Sequence, residues 1–566
     1  MNPRETVSDV LLETLYALGI RTLFANIGTD YPPIVEALAK YRALGRALPD
    51  VVLCPHENTA ITAAHGYALA TGQGQGVFVH VGVGTQNLGG SLHNAWAGRV
   101  PMLIFAGRSP ASTRGERIGS RDNPIHFYQD VRDQAGIARQ YCKWEFNLEL
   151  PEQTAYALQR GARLMQSEPK GAIYVTAARE VLSMPVGEML SDAPDTSARP
   201  SLGELPEAAA RGIAEALRRA ERPLVIASYA GRQPEAVPAL VALSEALHLP
   251  VLEPSASYLN FPRDHAHHWG YRAGAVIGEA DLVLLVDTDV PWIPKYGAPP
   301  RGTPVIQLDI DPLKSNIVLW DFPVSESHWV QSGPALERVL AQVRTLPALP
   351  PQRVAARQEW VRRHRPQAPA TPASGGAQRL TPASASAVIG RVLGPEAVIF
   401  DEGVTSADVI RAGTRRTRPG TYFGMPGSSL GWGGGAALGY KLARPEAEVT
   451  WLVGDGSFVF SVPTSLYMTA RRYGTPFLTV IYNNAGWNAV KAATDRVYGP
   501  DGQAARHNTY FHQLSPVGRL EQVAAAFDCH TAEARSPDAL EAALHEARAA
   551  VAEGRPAVIN ALLEPT

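Results

Sequence analysis

Residues 448–457 read EVTWLVGDGS, an apolar run of strand length closed by the turn Gly454-Asp455-Gly456-Ser457, and residues 476–484 read PFLTVIYNN, a second such run closed by Asn483-Asn484. The 26 residues between Gly456 and Asn483 suffice for one helix and one strand. Both turns therefore fall at carboxyl ends of strands in a parallel α/β sheet, the edge at which open sheets bind ligands. Asp455 and the amide oxygen of Asn484 are hard oxygen donors suited to Mg²⁺. Gly456 lets a diphosphate approach the backbone N–H groups that open the helix beginning near Ser457. Taken alone, the first motif also fits a tight turn and the second a strand end; the pairing at this distance favours the ligand reading.

Outward from these runs the pattern repeats along the chain. TLFAN, VVLC, GVFVHV, PMLIFAG and AIYVT alternate with helical stretches between Val7 and Ala178, and PLVIAS, PVLEPS, DLVLLVDTD and PVIQLDID do so up to Arg344. AVIFDEG, the two runs above and AVINALLEP complete a third set. This alternation predicts three α/β domains, each a doubly wound parallel sheet, at residues 1–185, 205–344 and 380–566. The Pro- and Ala-rich residues 345–379 read as a surface linker, and a polar stretch from Ser191 separates the first two domains. At 566 residues, 45% hydrophobic and 19% charged, the composition is that of a large folded enzyme. A net charge of −2 supplies no field for nucleic acid, so small molecules are the expected partners. Cys54, Cys142 and Cys529 are too scattered for a disulfide framework or a structural zinc site. Glu5, Asp9 and Glu13 interrupt the N-terminal apolar residues, which read as an amphipathic helix of a cytoplasmic protein with no membrane span.

With the paired motifs in hand, the chain resembles the thiamine-diphosphate (ThDP) enzymes of the acetolactate synthase, benzoylformate decarboxylase and pyruvate decarboxylase superfamily. The 26-residue spacer lies towards the long side of that family's range, and the likeness covers essentially the whole chain. It implies pyrimidine-binding, middle and diphosphate-binding domains, with Mg²⁺ held by Asp455, Asn484 and the carbonyl of Gly486. PHENTAITAAHGYALATG resembles the family segment whose carboxyl, here Glu57, hydrogen-bonds the cofactor's N1′ and drives loss of the C2 proton; a bland role at a helix N-terminus is the alternative. GVGTQNLGG resembles the family's glycine-rich run, with Gly82, Gly84 and Gly89 permitting tight turns and Asn87 reaching across the subunit contact. A dinucleotide reading of that run fails, because PMLIFAGRSP ends without an acidic residue. MPGSSLGWGGG resembles the segment under the thiazolium, with the Ser428 carbonyl accepting from the 4′-amino group and Leu430 wedged between the rings or merely anchoring the loop. Gly403 to Thr405 match the diphosphate end.

Substrate-facing candidates are Thr29, His80, Gln129, Trp487 and Lys491. His80 falls where benzoylformate decarboxylase has a histidine and reads either as an acid–base group or as a core histidine satisfied by a carbonyl. That enzyme's second histidine would lie near Pro294 and is absent, and Val81 follows His80 where pyruvate decarboxylase's histidine pair would continue. His56, His65, His93 and His126 read as surface or supporting residues. The resemblance implies decarboxylation of a 2-oxo acid through a C2 carbanion and enamine, in a homodimer or homotetramer whose subunits share sites. The alternatives are an acetolactate synthase-type carboligase, with or without FAD, although residues 205–344 show no flavin fingerprint, and a lyase or hydrolase acting on a diketone or acyloin. A non-enzymatic regulator would be expected to have lost Glu57 or Asp455.

Overall fold

The computed structural model describes residues 5–186, 198–365 and 379–564. Residues 191–197 of the polar stretch and 366–378 of the expected linker lie outside these. Three parallel sheets carry the fold. The first comprises β1 (Thr22–Asn26), β2 (Asp50–Leu53), β3 (Gln75–Val79), β4 (Met102–Arg108), β5 (Trp144–Leu148) and β6 (Ala172–Ala178), in the order β2-β1-β3-β4-β6-β5. The second comprises β7 (Pro223–Ala227), β8 (Val251–Leu252), β9 (Leu282–Val286), β10 (Val305–Asp309) and β11 (Glu326–Trp329), ordered β11-β10-β9-β7-β8. The third comprises β12 (Val398–Glu402), β13 (Tyr422–Gly424), β14 (Val449–Gly454), β15 (Leu478–Asn483), β16 (His530–Ala534) and β17 (Ala557–Leu562), ordered β13-β12-β14-β15-β17-β16. The first and third sheets thus share one strand order, a kinship invisible in the amino-acid sequence.

Strands buried on both faces read as unbroken apolar runs, as Leu282–Val286 does with every residue buried. The four strands that the sequence reading missed, β5, β11, β13 and β16, each lie at a sheet edge. Three of them are only partly buried, so polar residues such as Glu145, Glu326 and Glu533 interrupt their pattern; β13 has just three residues.

By compactness the chain divides into two units. One is Met1–Pro200, Met425–Glu533 and Glu546–Asn560, and holds the first sheet with β14 and β15. Its centre is a helix pair, Glu57–Thr71 against Gly433–Ala443. A methyl group at Gly66 would fall 1.9 Å from the Ala436 carbonyl oxygen, and one at Gly439 would fall 1.8 Å from that of Ala63. Glycine on both helices lets their backbones touch, which ties Glu57 to the loop that precedes the second helix. His65, read as a surface or a supporting residue, is not at the surface: it is buried edge-on against Trp432, and burial pushes its imidazole down to about 3.

The other unit is Ser201–Gly424, Ala534–His545 and Ala561–Thr566. Here the expected linker contains a regular helix, Pro351–His364, opened by Pro351 at its first position. Its Trp360 and Val361 are buried in the core beside Trp269, and the Arg357 guanidinium donates to the carbonyls of Leu217 and Leu247. Pro and Ala content signalled a coil; the buried face overrode it. Among the described residues no helix is long and apolar enough to cross a membrane, and Cys54, Cys142 and Cys529 are unpaired.

Candidate active site

In the first sheet the strand order reverses between β1 and β3, and the carboxyl ends of these strands are where such a sheet binds ligands. Gly28-Thr29-Asp30 follows β1, and His80 follows β3. Asp30, only 2% exposed, sets Oδ1 2.5 Å from His80 Nδ1, while its Oδ2 accepts from the backbone N–H of Val81 at 3.1 Å. Two glycines make room for this pair. A methyl group at Gly28 would lie 2.2 Å from His80 Nδ1, and one at Gly107 would lie 2.0 Å from Asp30 Oδ2. The hydrogen bond to Asp30 holds the His80 imidazole above its ordinary range against the opposing effect of partial burial, with Gln129 and the charge of Glu57 adding to the rise.

Glu57 is buried at the first position of its helix, which His56 caps by accepting from Asn58 N–H at 3.0 Å. Its Oε2 accepts from Asn87 Nδ2 at 3.0 Å. The glycine-rich run is also not a set of turns. β3 ends at Val79, and Val81–Asn87 is a helix that brings Gly84 to within van der Waals reach of the Glu57 carboxyl.

The loop Met425–Gly431 is clamped by side chains on which the sequence reading placed no weight. Asn94 Oδ1 accepts from Ser429 N–H at 3.0 Å, and its Nδ2 donates to the Ser429 carbonyl at 2.7 Å. Asn58 Nδ2 donates to the Gly431 carbonyl at 3.1 Å. Ser428 is exposed with its hydroxyl 3.3 Å from His93 Nε2, and Leu430 is half-buried.

β14 and β15 pair in register, Gly454 opposite Tyr482, so their carboxyl-end turns are neighbours. Asp455 begins a six-residue helix, Asp455–Phe460, in which Gly456 and Ser457 are buried. Asp455 Oδ1 accepts from Gly456 N–H at 2.7 Å, and the N–H of Gly486 is shared between Asp455 Oδ2 at 3.0 Å and Asn484 Oδ1 at 3.2 Å. A carboxylate and an amide oxygen thus converge on one point. Burial raises the Asp455 carboxyl, and only backbone N–H groups oppose the shift. A divalent cation is the charge this buried carboxyl lacks. Among the described residues no cluster of three His, Cys, Asp or Glu side chains forms a metal site; the donors here are one carboxylate with amide and peptide oxygens, a set that fits Mg²⁺.

The substrate candidates fall differently. Gln129 is 7% exposed, and neither of its amide atoms completes a hydrogen bond, although it lies close enough to His80 to influence it. Thr29 is exposed, its carbonyl accepting from Arg179 at 3.3 Å; the group at its position that reaches His80 is the neighbouring Asp30. Trp487 sets its indole Nε1 2.1 Å from where a methyl group on Gly456 would be, so Gly456 accommodates this ring as well as any diphosphate. Lys491 Nζ lies 5.9 Å from the centre of the Tyr510 ring. Asp30 was legible in principle, as an acidic residue just past the first strand facing the switch point.

Comparison with known proteins gives the family. Models of thiamine pyrophosphate enzymes match as the N-terminal TPP binding domain over residues 5–137, the central domain over 210–322 and the C-terminal TPP binding domain over 402–561. The chain belongs to the thiamine-pyrophosphate-dependent enzymes. It is 26% identical to benzoylformate decarboxylase of Pseudomonas aeruginosa over 86% of this chain and 87% of that protein. It is 25% identical to a probable acetolactate synthase of Mycobacterium bovis over 98% and 95%. The solved structure of a thiamine diphosphate-dependent 4-hydroxybenzoylformate decarboxylase of Rhodococcus jostii superposes with a TM-score of 0.81 at 22% identity, covering 99% of both chains, and so shares the fold.

Proposed function

We propose that this enzyme is a Mg²⁺- and ThDP-dependent decarboxylase of a 2-oxo acid, releasing an aldehyde or handing the acyl unit to a second carbonyl. The observation that carries the reading is the contact of His80 with the buried Asp30 at the switch point, which raises the imidazole, with the charge of Glu57 adding to the rise. Likeness to a protein named benzoylformate decarboxylase supports it. When bound, ThDP supplies the electron sink for the charge left as CO₂ departs. Asp455, Asn484 and the Gly486 carbonyl would hold Mg²⁺, and Gly456 and Ser457 the diphosphate. Glu57, oriented by Asn87, would exchange a proton with N1′, while the Ser428 carbonyl and Leu430 would fix the ring geometry. His80 donates a proton from Nε2 to the reacting carbonyl carbon or oxygen, and Gln129, Thr29, Trp487 and Lys491 line the substrate side.

We assign the pyrimidine-binding role to residues 1–185, the middle role to 205–344 and the diphosphate-binding role to 380–566, with 345–379 between the last two. Two or four copies in the cytoplasm would share sites. Exposed Phe460, Trp487, Val490 and Phe511, the last 93% exposed, surround the Asn484 turn and favour a partner there.

The carboligase alternative with FAD is disfavoured by the middle sheet. Its own switch point lies between β7 and β9. There the buried Lys314 donates to Asp309 Oδ2 at 2.7 Å and to the Tyr229 hydroxyl at 2.6 Å, and pairs with Asp289 at 3.0 Å. A nucleotide seated there would meet charges already paired with one another.

His80→Ala tests the reading. ThDP affinity should stay within about threefold while turnover on the best 2-oxo acid falls about 100-fold or more, the usual span for an acid–base group. Near-normal turnover would return His80 to a structural role and favour a carboligase-type site.

A further inference from the structure

We propose that Asp30 is the positioning residue of this site, fixing the tautomer of His80 and the direction in which its free nitrogen points. The inference rests on the reading of His80 as the proton donor and deepens it. Both Asp30 oxygens act as acceptors. Oδ2 takes the Val81 N–H at 3.1 Å, and Oδ1 lies 2.5 Å from His80 Nδ1, so Nδ1 carries the hydrogen and Nε2 is the nitrogen left to exchange a proton.

The surrounding backbone is built around this contact. Val81, a β-branched residue, takes φ +31°, a left-handed conformation that costs about 1–3 kcal/mol and persists only where neighbours impose it. The imposing neighbour is Asp30 Oδ2 on the Val81 N–H. A Cβ at Gly28 would collide with the His80 ring at 2.2 Å, and one at Gly107 with the Asp30 carboxyl at 2.0 Å. One carboxyl thereby sets both the imidazole's rotamer and the turn from β3 into its helix.

The same contact sets the proton affinity. The groups facing His80 are Asp30 from the β1 turn, Glu57 from its helix N-terminus, and Gln129 and His126 from the segment after β4. Asp30 acts most strongly and raises the imidazole, so the protonated donor persists to higher pH than that of a free histidine. Removing the carboxyl should move the alkaline limb of turnover to lower pH.

The test combines a cofactor-free measurement with kinetics. Peptide-resolved modification of His80 by diethylpyrocarbonate, followed against pH in protein without ThDP, reports its titration midpoint; the wild type should titrate above about 6.5 and Asp30→Asn should fall towards that ordinary value. With cofactor, Asp30→Asn should lower kcat about tenfold or more with KM within about threefold, and shift the alkaline limb down. Gly107→Ala, which keeps every charge but crowds the Asp30 carboxyl, should reproduce the shift.

A wild-type midpoint at or below the ordinary value, or a midpoint unmoved in Asp30→Asn, would overturn the proposal. Failure of the decarboxylase reading is distinguishable: His80→Ala would then keep its turnover whatever the titration of His80 shows.

Discussion

Asp455→Ala should bind ThDP at least about 100-fold more weakly than the wild type, and added Mg²⁺ should no longer tighten binding. Loss of even an outer partner of a metal ligand costs about 10–100-fold, and here the sole carboxylate of the set goes. The variant also abandons the Gly486 N–H, held at 3.0 Å by Asp455 Oδ2, to Asn484 alone. Because burial already raises the Asp455 carboxyl, its removal spares the fold an uncompensated charge, so the folded apoprotein should survive. Calorimetric titration of ThDP with and without Mg²⁺ checks this, and affinity unaffected by the change or by chelator would show that the cation lies elsewhere.

Glu57→Gln should leave ThDP affinity within about tenfold while slowing C2 deprotonation of the bound cofactor by about 100-fold or more. The amide keeps the shape and can still pair with Asn87, which now donates to Glu57 Oε2 at 3.0 Å, so the pocket should not collapse. What is lost is the acid that exchanges a proton with N1′. Deuterium exchange at C2, quenched in acid and read by proton NMR, separates the two effects. Unaltered exchange in the glutamine variant would remove Glu57 from the chemistry and leave it as a helix-terminal carboxylate.

The legible part of this protein was its doubly buried sheet. Runs such as DLVLLVDTD and EVTWLVGDG announce parallel strands because both faces must be apolar, and a turn with polar residues follows each. Edge strands such as Trp144–Leu148 and Glu326–Trp329 hide because one side meets solvent. The helix Pro351–His364 hid in a Pro- and Ala-rich run because Trp360 and Arg357 find buried partners that composition does not reveal. In the site, Asp455 and Asn484 stood out through motif spacing, and Glu57 through the resemblance of its segment to a known family. Asp30 did not, since its significance lies in a strand order, β1 beside β3, that brings position 30 to position 80. The loop clamps Asn58 and Asn94 are likewise products of the packed helix pair, whose glycines 66 and 439 look unremarkable in one dimension.

The central claim is that the two motif halves make a ThDP- and Mg²⁺-dependent decarboxylase. Incubating the purified protein with a panel of aryl and alkyl 2-oxo acids, with ThDP and Mg²⁺ supplied, and measuring CO₂ together with aldehyde or acyloin, tests it most directly. At least one acid should release CO₂ in step with product, the release ceasing on chelation and in Asp455→Ala. No CO₂ from any acid, with cleavage of a diketone or acyloin instead, would contradict the account.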